Sequence, residues 1–170
     1  KKKKTAIGTS AFLTAQTADG NTALGYLALT GCTTGEDNVA IGLDSLEDNT
    51  TGKRNTAVGG FALTNNTTGD SNTAVGYNAL IAATTADSNV AVGLNSMYSN
   101  QTGDGCTAVG AAALFGNTTG TDNTDVGALA LTGCTTGTQN NAVGYEALKT
   151  ITKNSQCNAF GALALTSYSS

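Results

Sequence analysis

The sequence predicts an all-β chain: a parallel β-solenoid (β-roll) of ten coils of 17 residues each, packed in a trimer or fibre. Three observations predict the coil. Asn55-Thr56-Ala57-Val58-Gly59 returns as Asn72-Thr73-Ala74-Val75-Gly76, Ala62-Leu63 returns as Ala79-Leu80, and this spacing holds from Lys4 onward without insertion or deletion. The fifth position of every coil is glycine: Gly8, Gly25, Gly42, Gly59, Gly76, Gly93, Gly110, Gly127, Gly144 and Gly161. Thr, Asn and Gly dominate the unit, and these poor helix formers make a helical hairpin hard to build. Residues 1–3 are read as a basic extension and residues 4–170 as one repeat domain.

The coils begin at Lys4, Asn21, Asn38, Asn55, Asn72, Asn89, Cys106, Asn123, Asn140 and Cys157, the last incomplete. Thr-Ala-Val at positions two to four reads as a short strand ending at the Gly bend, where a side chain would clash or the backbone needs positive φ. Ala-Leu at eight and nine starts a second short extended segment. Thr-Thr-Gly-Asp then closes the turn. Ten coils stacked at ~4.8 Å make a rod ~50 Å long. Asn at position one, found in seven coils, is placed to form an amide ladder, and Val at four with Leu at nine is expected to fill the interior.

Alternate side chains of a strand face opposite ways, so an inward Val column puts position three outside. That position is Ala6, Ala23, Ala40, Ala57, Ala74, Ala91, Ala108, Ala142 and Ala159, with Asp125 the one departure. A persistent stripe of small apolar residues on an outer face predicts contact with another chain. The competing reading reverses the faces and puts the Ala column inside a narrow coil. Two large aliphatics per coil make a weak core for one chain, which also favours a homo-oligomer, either a trimer or an end-to-end polymer. Solenoids usually need caps; the first coil starts directly after the lysines and the last stops within its repeat, so subunits stack end to end or the caps lie in further sequence.

Composition narrows the functional classes. Net charge is only -4 and aromatics are 5%, with aliphatics recurring steadily, so the chain is ordered with a thin core. The mild, dispersed acidity gives no electrostatic case for nucleic acid. Lys1 to Lys4 read most simply as a solvated terminus or processing remnant, and with no initiating Met the chain reads as processed or partial. No window holds the ~18 apolar residues of a transmembrane helix, so no membrane insertion is expected.

Without His, a Ser/His or Cys/His pair cannot form within the chain, and no catalytic residue, cofactor or metal site is expected. Asp19, Glu36, Asp37, Asp70, Asp87 and Asp104 gather at positions sixteen and seventeen, which reads as a solvated turn face; their spacing matches no familiar Ca²⁺ loop. Cys32 and Cys134 share position twelve, and Cys106 and Cys157 share position one. Same-column partners lie about 29 and 14 Å apart at the usual strand spacing, beyond disulfide reach. The four are either small buried thiols or bridges between subunits, and a mixed-column pair such as Cys106 with Cys134 stays open. Asn49, Asn65, Asn66, Asn100 and Asn117 begin Asn-x-Ser/Thr triplets that the repeat itself generates.

The motif Asn-Thr-Ala-Val-Gly-x-x-Ala-Leu-x-x-x-Thr-Thr-Gly, nearly whole from Asn55 to Gly69, resembles repeats of phage and virus tail-fibre-like proteins and large bacterial surface proteins, which often end in a self-cleaving trimerisation chaperone. Val39-Ala40-Ile41-Gly42 is similar to the unit of trimeric autotransporter adhesin heads, although the period here is longer than their typical fourteen and no chaperone, neck or anchor is present. The resemblance covers residues 4 to 165. It implies a non-enzymatic structural fibre shaft, tail-fibre or adhesin segment, located extracellularly, on a cell surface or on a virion, with a cell-surface receptor or glycan as partner. The alternative function is an ice-binding or other surface-binding module that uses Thr ladders, weakened because adjacent Thr side chains face opposite ways.

Overall fold

The computed structural model describes residues 3–14 and 17–166 and contains no helix among them. Ten strands form one parallel sheet in chain order: β1 (Lys4–Ile7), β2 (Asn21–Leu24), β3 (Val39–Ile41), β4 (Thr56–Val58), β5 (Thr73–Val75), β6 (Val90–Val92), β7 (Thr107–Val109), β8 (Thr124–Val126), β9 (Asn141–Val143) and β10 (Asn158–Phe160). Strand residues pair with their equivalents 17 places on, as Thr56 with Thr73, Ala57 with Ala74 and Val58 with Val75. Each coil is therefore one rung of a β-solenoid.

Only one strand forms per coil. The second extended segment expected at Ala-Leu is instead a succession of turns, residues 60–65 in the fourth coil. The Ala62 amide donates back to the Gly59 carbonyl and the Asn66 amide to the Leu63 carbonyl, which closes two tight turns. The remaining amides of this segment bond along the rod, as Phe61 to the Leu43 carbonyl and Leu63 to the Ala79 carbonyl. Backbone groups are thus satisfied between coils even where the chain is not extended.

These turns place residues of every type in left-handed backbone. In the fourth coil Phe61 has φ 59° and Leu63 φ 52°, and the same two positions, seven and nine, are left-handed from Ser10 and Phe12 through Leu163 and Leu165. A left-handed L-residue costs about 1–2 kcal/mol, whereas full burial of a Leu returns about 1.5–3 kcal/mol. The conformation aims the position-nine side chain at the axis, and Leu29, Leu46, Leu63, Leu80, Leu114, Leu131 and Leu148 are all completely buried.

The sheet's faces are the reverse of the first expectation. Ala23, Ala40, Ala57, Ala74, Ala91, Ala108 and Ala142 are 0% exposed and Ala159 4%, while Leu24 is 44% exposed and Val126 40%. Only Ala6, in the first coil, is exposed among the column. The candidate interface assigned to these alanines is therefore corrected: they line the interior, and position four points out. The physical reason is width. A short strand faces a coil whose largest inward side chain is usually the Leu at nine, and beside it stand small residues, Ala at position three in every coil but the eighth and Ala or Ser at position eight.

The rest of the interior is polar. Asn21, Asn38, Asn55, Asn72, Asn89, Asn123 and Asn140 at position one are buried, as are Asn49, Asn66, Asn100 and Asn117 at position twelve. Within the fourth coil the Asn55 and Asn66 side-chain amides both donate to the Gly69 carbonyl, at 2.7 and 3.0 Å. Between coils, Asn55 Oδ1 accepts the Asn72 backbone amide at 2.9 Å, and Asn72 Oδ1 accepts that of Asn89 at 3.0 Å. Each position-one asparagine thus joins its own closing turn to the next coil, whereas at position twelve the Asn66 Oδ1 is buried without a partner. The glycosylation triplets have the same origin: four of their five asparagines are these inward rungs, and only Asn65 is exposed.

Candidate functional site

With Ala inward, positions two and four form the outer face of the sheet. Position two is Thr, Val or Asn and position four is Ile, Leu, Val or Phe in all ten coils. The following position six adds exposed Tyr26, Leu43, Tyr77, Leu94 and Tyr145. No charged residue occupies position two, four or six in any coil. From the second coil on, every charge except Asp125 lies at positions seven, ten, eleven, fourteen, sixteen or seventeen.

The strand face alone is a strip ~48 Å long and ~10 Å wide, roughly 500 Å², with an aliphatic or aromatic file at position four beside Thr, Val or Asn at position two. Two aromatic contacts lie on the turns that follow it, one at positions six and seven and one at position ten. Phe61 meets Tyr77 edge-on at 5.5 Å, and Tyr98 stacks on Phe115 at 5.0 Å. The arrangement can bury apolar area against a flat partner.

The glycine column fixes the strip's edge. At Gly59 φ is +130°, and a Cβ would lie 2.6 Å from the Gly76 carbonyl oxygen. Both the backbone conformation and the approach of the next coil demand glycine there.

The carboxylate cluster does structural work. Asp70, Asp87 and Asp104, in line at position sixteen, accept backbone amides of the preceding coil: Lys53 to Asp70 at 2.7 Å, Asp70 to Asp87 at 2.6 Å and Asp87 to Asp104 at 2.7 Å. Glu36 and Asp70 also hold Lys53 and Arg54 at 3.2 Å. No cluster that could hold a metal ion occurs among the described residues.

The cysteines sit inside. Cys32, Cys106 and Cys134 are buried and Cys157 is half-buried, all four as free thiols. The expectation of intersubunit disulfides is corrected for the first three, because an inward sulfur cannot meet another chain. Each thiol replaces an Asn donor: Cys106 Sγ reaches the Gly120 carbonyl at 3.4 Å and Cys134 Sγ the Gly137 carbonyl at 3.7 Å. Burial pushes the Cys106 and Cys134 thiols up to about 11, so both stay protonated at neutral pH.

Threonines divide by position. At thirteen the hydroxyls are consumed between coils, Thr50 donating to the Thr67 carbonyl and Thr67 to the Thr84 carbonyl, both at 2.9 Å. At fourteen Thr34, Thr51, Thr68, Thr85, Thr102, Thr119 and Thr136 form one exposed file. Sequence reasoning missed the outward face because alternation fixes relative, not absolute, orientation; the charge-free pattern at two, four and six was the signal that could have found it.

Comparison with protein-family models, curated proteins and solved structures finds no match.

Proposed function

We propose that this chain is a structural element, a stiff rod that packs laterally against further copies through its outer strand face to build a fibre shaft of the tail-fibre or adhesin kind. The observation that carries this reading is the charge-free face of positions two, four and six running the whole rod. Depletion of charge with enrichment of aliphatic and aromatic side chains marks the cores of protein interfaces. Identical chains share the same rung spacing, so an apolar column on one rod can lie along that of another without losing register. In this reading the chain acts by length and stiffness rather than catalysis, outside the cell or on a virion.

Solution mass together with electron micrographs tests it. The chain is expected as a defined multimer of rods, and Val58→Asp/Val75→Asp/Val92→Asp is expected to give monomers that keep the β-rich circular dichroism spectrum. A wild-type chain that stays monomeric at every concentration would overturn the proposal. The exposed file of threonines at position fourteen favours a second reading, binding to ice or another regular surface. A thermal-hysteresis assay on the monomeric variant separates the two.

A further inference from the structure

Every coil from the second to the tenth carries Ala at position three except the eighth, where Asp125 takes its place inside the rod. Asp125 is 0% exposed, and neither carboxylate oxygen has a hydrogen-bond partner. Its register neighbours on β7 and β9 are Ala108 and Ala142, which offer no donor. Across the core, position eight holds a hydroxyl only at Ser45 and Ser96; the coils around Asp125 have Ala113, Ala130 and Ala147. Ser96 shows what such a hydroxyl can reach, donating to the Ala108 carbonyl at 3.0 Å.

The Asp125 charge acts on the Cys106 and Cys134 thiols inside, and around these stand Asp122 on the exposed turn, acting on Cys106, and Cys157, acting on Cys134. All are acids, so none supplies a counter-charge. A carboxylate without partner or counter-ion is costly in such a site, and the protonated acid is far less so.

We propose that the eighth coil is a proton-dependent rung: Asp125 is carried as the neutral acid inside the closed rod, and its ionisation loosens the stack between β7 and β9. Burial pushes the Asp125 carboxyl up to about 8 from an ordinary 3.8. The folded rod therefore keeps a proton that the open chain releases. The stabilisation is complete below the ordinary carboxyl range and is lost as pH rises through about 8. Between these limits the opening constant rises by up to about tenfold per pH unit. The rod is thus tighter in mild acid, and its pH-sensitive place is the eighth coil.

The test is urea unfolding of the full chain from pH 5 to 9, with amide hydrogen exchange corrected for its intrinsic pH dependence. Wild type is expected to lose unfolding midpoint steadily as pH rises, with exchange at Thr107–Val109, Thr124–Val126 and Asn141–Val143 accelerating before that of β3 to β5. Asp125→Ala, which restores the column's own residue, is expected to remove both effects and to match wild type most closely at pH 5. Asp125→Asn, which keeps the shape without the titration, is expected to flatten the pH profile likewise. An equal pH slope in wild type and both variants, or pH-dependent opening centred away from β8, would overturn the proposal.

Discussion

The coils from Asn38 to Ser88 and those from Cys106 to Gln139 share a backbone but not an interior. In the first region the asparagine rungs are continuous: Asn38, Asn55 and Asn72 each pass an amide to the rung behind, at 2.8 to 2.9 Å. In the second, Cys106 takes a rung, and its sulfur stands where Asn123 would meet an amide oxygen. Cys134 replaces the position-twelve asparagine, and Asp125 replaces an alanine. The coil tolerates a thiol because it has the right bulk and keeps a weak donor on the position-fifteen carbonyl. It tolerates the carboxyl only as the neutral acid. Volume is the first constraint on the interior, hydrogen-bond completion the second, and charge is admitted only when masked by a proton.

The largest effect that would break this comparison lies in what both regions share. Gly59→Ala is expected to cost about 3 kcal/mol or more, since it combines a conformation nearly closed to L-residues with overlap on the Gly76 carbonyl. Urea unfolding by circular dichroism reads it, and a near-neutral result would mean that the coils are not stacked as described. A smaller change sharpens the contrast between the regions. Asn72→Ala leaves the Asn89 amide and the Ala86 carbonyl without their side-chain partner and is expected to cost about 2–3 kcal/mol, whereas Cys106→Asn is expected to be neutral or to stabilise by up to about 1 kcal/mol. If the two shifts had equal size and sign, the ladder would not be the difference between the regions. The smallest effect concerns the exposed turn. Asp87→Ala removes one acceptor for the Asp70 amide where water can replace it, and a loss of about 0.5 kcal/mol is expected by the same unfolding measurement.

Much of this architecture was legible in the residues. Gly59 and Gly76 recur at the spacing that places one coil on the next, and Asn55 and Asn72 recur as a ladder, but that the ladder turns inward and pairs with backbone carbonyls and amides was not legible. The turn carboxylates were legible as a surface feature, though their service to the preceding coil's amides was not. Leu63 was rightly placed inside, but its left-handed backbone was not legible, since that region is expected of Gly or Asn. The outward strip at Val58 and Val75 was missed for a related reason. Large aliphatics are expected inside, and only the lack of room beside the Leu column overrides that preference.

By itself the sequence determined the rung: 17 residues, one glycine bend, one asparagine ladder and a parallel stack in register, because a strict repeat leaves each residue its own equivalent as the cheapest neighbour. Only the tertiary structure decided which face of the strand turns inward and which backbone well the turns occupy. A period of two is satisfied equally by either phase, so the choice falls to the width of the closed coil, where Ala57 fits beside Leu63 and the Val58 side chain points outward.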